Sequence, residues 1–178
     1  MNGRVLVGGS LVLAMMGMAA CADDPAAVEE EVVLLSVQPA GGSVDVAITS
    51  SVVITFDHAI MPAMTSYAAL HEGDISGPEV AGAWSLAPDG RVLTFEPAAP
   101  LEAGTGYTIH LGGGMEGAHG GATDFETHGS AHMGGTWVSG GMMGGGMGGM
   151  GGAHPHMGSG WEHANGSFGM IFTFTTAD

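Results

Sequence analysis

The chain has 178 residues, enough for one domain of ordinary size plus appendages. It carries 34 glycines, 14 methionines, no lysine, two arginines and 18 acidic residues, for a formal net charge of -16. That balance argues against nucleic acid, whose phosphates it would repel, and against docking on anionic lipid through a basic patch.

Residues 1–20 read as an export signal. The stretch "MNGRVLVGGSLVLAMMGMAAC" has Arg4 near its start, an apolar run from Val5 to Met18, and the small residues Ala19 and Ala20. The run is short for a spanning helix, which needs about 20 apolar residues. Cys21, the sole cysteine, follows directly. The segment resembles the bacterial lipoprotein signal, with Met18 where leucine is usual. That resemblance implies lipid attachment at Cys21 and a membrane as the first partner. Ala22 is not the aspartate that retains many lipoproteins at the inner membrane, which favours the outer membrane. A mature chain without a thiol suits an oxidising envelope. Residues 21–31, acidic with proline and small side chains, read as a solvated tether.

From residue 32 to residue 178 the pattern is that of a β domain. "EVVLLSVQPAGG" is a short apolar strand ending in a Pro/Gly turn. In "SVVITFDHAI" Val52, Ile54 and Phe56 share one face. "MPAMTSYAALHEG" holds a helical turn followed by a loop that contains His71. Trp84 and Leu86 alternate with small residues before "PDGR", a hairpin with Asp89-Gly90 as its turn pair. Leu93 and Phe95 follow at alternating positions. In "GYTIHLG", Tyr107, Ile109 and Leu111 face one way and Thr108 and His110 the other. "GMIFTFTTAD" closes the chain with β-branched and aromatic residues. The expectation is an all-β, Ig-like antiparallel sandwich of about seven strands. Tyr107, after "PLEAGTG", is placed to plug a Greek-key corner with its hydroxyl.

The stretches "SVQPAGGSVDVAITSSVVITFDHAIMPA", "PDGRVLTFEPAAPLEAGTGYTIHL" and "FTFTTAD" together resemble the bacterial Ig-like domain of the SbsA type (Big_5), found in S-layer and other surface proteins. The resemblance implies a spacer, adhesion or accessory module without catalytic residues of its own. Independently, the residues hold no catalytic motif: no His-Glu-x-x-His, no phosphate-cradling loop between a strand and a helix. The departure from the family lies between the last two strands. Residues 113–167, about 55 in all, stand where a short loop is usual. Their glycine content predicts poor order without a ligand.

That insertion is rich in metal donors. It holds seven methionines and six histidines. Thioether sulfur suits Cu(I) and, by the same softness, Ag(I); imidazole also accepts Cu(II) and Zn(II). Met143, Met147 and Met150 are spaced by four and three residues, and His154-Pro155-His156-Met157 offers two imidazoles and a sulfur. The candidate ligands are therefore Met133, Met142, Met143, Met147, Met150, His154, His156 and Met157, with copper as the candidate metal. Trp137 and Trp161 flank the tract and could cover an ion by cation–π contact or simply anchor the loop. His110, beside the loop entrance, is a further candidate, whereas His58 and His71 read as surface residues. A spacer, a contact loop for another envelope protein, or a sacrificial target of oxidants remain open for the same composition. The function expected is a non-catalytic envelope lipoprotein whose loop sequesters or delivers soft metal ions.

Overall fold

The computed structural model describes residues 30–130, 132–139, 156 and 158–178. The expected signal, Cys21 and most of the acidic tether lie outside these residues. Ten strands run through the described residues: β1 (Val32–Gln38), β2 (Ser43–Val46), β3 (Val52–Phe56), β4 (Ala68–Glu72), β5 (Gly82–Leu86), β6 (Val92–Pro97), β7 (Gly106–Leu111), β8 (Thr123–Asp124), β9 (Thr136–Ser139) and β10 (Ser167–Thr176). One sheet has the order β5-β6-β3-β1-β8 and the other β2-β10-β7-β4, with β9 also on β10. The inner faces meet in one core that includes Ile54, Phe56, Leu93, Leu70, Ile109 and Phe172. Each such side chain contributes about 1.5–3 kcal/mol on burial.

Strands with one solvated face stand where alternation predicts them. Val52, Ile54 and Phe56 are buried while Val53 and Thr55 are half-buried. The segment after Met61 forms a 3-10 helix (Pro62–Tyr67) that starts on proline, as expected. His71, expected in a loop, instead lies in β4, whose first four residues are all buried. Both faces of this strand are covered, so it has no polar/apolar alternation to read. The β5–β6 hairpin differs in detail. Gly90 N–H donates to Ala87 O at 2.8 Å, which makes Pro88-Asp89 the central pair, and Gly90 follows at φ +72°. That is a type I turn closed by a left-handed glycine.

Tyr107 plugs the corner as predicted. It is buried, and its hydroxyl accepts the backbone N–H of Glu102 at 2.8 Å. Its ring stacks on Phe174 with centroids 5.5 Å apart. Replacing Tyr107 with phenylalanine leaves that part-buried N–H without its acceptor. A loss of about 0.5–1.5 kcal/mol in denaturant-unfolding free energy is expected, with the slope unchanged. An unchanged midpoint would remove the corner from the list of stabilising contacts.

The first part of the insertion is ordered, contrary to the expectation from its glycine. Met115 and Phe125 are fully buried in the common core. Between them β8 pairs in parallel with β1, Val32 opposite Thr123 and Val33 opposite Asp124. A π-helical turn (Glu126–Ser130) follows. β9 then pairs with β10, Trp137 opposite Met170. Two large apolar anchors supply the burial that the glycines cannot.

Candidate functional site

The site grows from the outer face of the second sheet. β4 and β7 are antiparallel, with Ala69 opposite His110 and His71 opposite Thr108. Leu70 and Ile109 point into the core, so His71 and His110 point outward, as diagonal neighbours. Outward does not mean exposed here. His71 is 2% and His110 1% accessible. The His156 and Trp161 rings lie over them, and Glu79 bridges to His71 along the free edge of β4.

Three imidazoles meet in this space. Ring centroids are 5.0 Å apart for His71–His156, 5.9 Å for His110–His156 and 6.3 Å for His71–His110. Trp161, 5% exposed, lies 4.5 Å from His156 and 4.7 Å from His110, centroid to centroid. It also packs edge-on against Tyr67 at 5.9 Å. The turn carrying Trp161 is held by backbone: Gly113 N–H donates to Trp161 O at 2.9 Å and Gly114 N–H to Gly160 O at 3.1 Å. Gly160 has φ +90°, and a Cβ there would overlap the Tyr67 ring. Glycine is what lets this turn sit down on the sheet.

The hydrogen bonds fix the tautomers. His71 Nδ1 is 3.1 Å from Gly77 O, and His110 Nε2 is 2.7 Å from Phe168 O. A carbonyl only accepts, so each of these nitrogens carries the proton. That leaves lone pairs on His71 Nε2 and His110 Nδ1, both buried without a hydrogen-bond partner among the described residues. Burial pushes the His110 imidazole down to about 4; the bond to Phe168 opposes this, and the neighbouring His156 and His71 add to it. A carboxylate oxygen of Glu79 lies 3.9 Å from His156 Nε2. Neutral imidazoles whose other nitrogen is bonded to a carbonyl are the form in which histidine ligates metals. As the side chains stand, no group of three or more His, Cys, Asp or Glu among the described residues is arranged to hold an ion.

Of the donors singled out in the sequence, His156 belongs to this cluster. Met133 is half-buried against the core, and its carbonyl accepts Gly41 N–H at 2.8 Å. Met142, Met143, Met147, Met150, His154 and Met157 lie outside the described residues. His110 does project from the outer face beside the insertion, and the returning chain buries it. His71 is corrected from a surface loop residue to a buried one, because the Glu79 segment and the His156 turn enclose it. His58 is at the surface, between Glu30 and Asp57. Trp137 lies over His163, with centroids 4.6 Å apart, as Trp161 lies over His156. Met64, Met115 and Met170 are core filler, a common use of this flexible side chain. Glu79 was not legible as a site residue; its place follows from the bridge to β4.

Two face-to-face sheets, a tyrosine corner and a displayed loop define an Ig-like β-sandwich. The family model for the bacterial Ig-like domain, Big_5, matches residues 28–128, and the chain belongs to that family. Among solved structures, the bacterial S-layer protein SbsC is similar at 15% identity and TM-score 0.38, over 53% of this chain. The chain spans 12% of the length of that S-layer structure. L,D-transpeptidase 1 of Mycobacterium tuberculosis is similar at 20% identity and TM-score 0.35, over 51% of this chain and 38% of its own. PcoC, a methionine-rich copper resistance protein from Escherichia coli, is similar at 15% identity and TM-score 0.45, over 83% of this chain and 99% of its own. No curated protein matches the sequence.

Proposed function

We propose that the protein is a non-catalytic envelope lipoprotein, anchored by lipid at Cys21 to the outer membrane, whose insertion binds soft metal ions for sequestration or delivery. The observation that carries this reading is a donor-rich tract anchored to the sandwich at both ends. It leaves through β9 and returns at His156 and Trp161, over the buried His71 and His110. Between these anchors the sequence supplies Met142, Met143, Met147, Met150 and His154, with Met157 just beyond. Thioethers prefer Cu(I) and Ag(I), and they survive an oxidising compartment better than a thiolate does. The number of donors suits several exchanging ions, as a buffer or relay requires.

The test is a titration of residues 22–178 with Ag(I) against a competing chelator, with NMR following the methionine methyls. Binding tighter than about 1 μM, with shifts at the methyls between residues 133 and 157, is expected. Unmoved methyls at millimolar Ag(I) would leave a surface module whose glycine-rich loop is a spacer or a contact for another envelope protein.

A further inference from the structure

We infer that His71, His110 and His156 form an ordered site for a divalent first-row ion of borderline softness, Cu(II) or Zn(II). The inference rests on the metal-binding reading of the insertion, since His156 belongs to it, but it does not use the thioethers.

Four observations converge. First, His71 and His110 each bury a bare ring nitrogen without a partner among the described residues. A buried polar atom without a partner is uncommon, and two such atoms on neighbouring rings 6.3 Å apart invite a shared ligand. Second, the opposite nitrogen of each ring donates to a backbone carbonyl, which fixes both tautomer and ring orientation as in metal-ligating histidines. Third, the three rings are close enough for a small adjustment to let them share one ion. An ion about 2.0 Å from an imidazole nitrogen lies roughly 3.2 Å from the ring centre, so tetrahedral imidazoles have centres roughly 5.2 Å apart. Of the three separations, His71–His156 at 5.0 Å is at that value, and those at 5.9 and 6.3 Å are wider. Fourth, the Glu79 carboxylate beside His156 turns the set into three nitrogens and one anionic oxygen. That composition favours a divalent ion over a soft monovalent one.

The unliganded geometry explains why the nitrogens do not yet converge. His71 and His110 are positioned by β4, β7 and their carbonyl bonds. His156 comes from a separate turn, and because His71–His110 is the widest separation, at 6.3 Å, ligation also requires those two rings to tilt towards each other. Trp161 packs on His110 and His156 as a roof over the site.

The test is a Cu(II) titration of the full chain extracted in detergent, read by electron paramagnetic resonance and tryptophan fluorescence. One Cu(II) per chain is expected, with hyperfine splitting from imidazole nitrogens and static quenching of Trp161; the quenching disappears in Trp161→Phe. His156→Ala lowers affinity at least tenfold, and Glu79→Gln does so by a smaller factor. His71→Gln abolishes the site if it folds; His156→Ala and Glu79→Gln lie at the rim of the cluster and keep the test decisive if it does not. Wild-type affinity and unchanged nitrogen splitting in His156→Ala would overturn the inference and move the ion to other histidines, such as His128 and His132. The chain with Met142, Met143, Met147 and Met150 all changed to leucine separates this site from the thioether reading. It keeps Cu(II) binding here even if it loses Ag(I), and loss of Cu(II) binding in that chain would also overturn the inference.

Discussion

Gly160→Ala is expected to lift the Trp161 turn off the sheet while leaving the sandwich folded. Two costs add at this position. A non-glycine residue at φ +90° is strained by about 1–3 kcal/mol, and the new Cβ overlaps the Tyr67 ring. The cheapest relief is to move residues 158–161, which opens the space over His71 and His110 to water. Trp161 emission should shift to the red, and the Cu(II) affinity inferred above should fall at least tenfold. Gly158→Ala is the control, because a Cβ there meets nothing within 4 Å. Adding Tyr67→Ala to Gly160→Ala removes the overlap but not the strain, so the two changes should be clearly non-additive in unfolding free energy. Additive effects, or an unshifted Trp161 emission, would mean that the turn is not seated by Gly160.

Acidification should be the other large effect, and it needs no metal. In a chelator-treated chain His110 is neutral in the fold, with a pKa pushed down to about 4 from the ordinary 6.5. Protonation therefore favours the unfolded chain. The stability concerned is fully present above pH 6.5 and is lost as pH falls through the window from 6.5 to 4. Below pH 4 the folded imidazole also takes a proton, and the loss from this group stops. Lowering the pKa from 6.5 to about 4 corresponds to roughly 3 kcal/mol over that window. His110→Gln keeps an N–H for the Phe168 carbonyl but has nothing to titrate. Its unfolding free energy should fall less steeply between pH 7 and 4 than that of the parent. His71, His156 and Glu79 face the same space and are present in both chains. Parallel slopes would mean that His110 is hydrated in solution.

What could be read from the sequence follows a physical rule. Strands with one wet face announce themselves by alternation, as β3 does with Val52, Ile54 and Phe56. Tyr107 could be assigned its corner because the sequence just before it fixes both the turn and the strand start. β4 could not, since Ala68 to His71 are covered on both sides and carry no alternation. β8 is only two residues long, and its order comes from the buried anchors Met115 and Phe125 on either side of it. The candidate site divides in the same way. His156 stood out through its neighbours Pro155 and Met157. Its partners His71 and His110 are far away in the chain and meet only through the pairing of Ala69 with His110. That pairing is a property of the folded sheet, and no local pattern encodes it. Glu79 reaches the cluster by a bridge at a strand edge, which leaves even less trace in the sequence.

The last strand has a consequence of another kind. β10 is ten residues long, apolar and β-branched, with a sequence well suited to pairing with copies of itself. One of its edges is taken by β7. Along the other, β9 covers Ser167 to Ile171 and β2 covers Phe174 to Thr176, while Gly42 N–H caps the Thr173 carbonyl between them. The two short strands leave no long bare edge for a neighbouring molecule to extend. β9 belongs to the insertion, so the same segment that launches the donor-rich tract also guards against fibre formation. A deletion that trims the insertion back through β9 would remove that guard, and self-association would then be the first symptom.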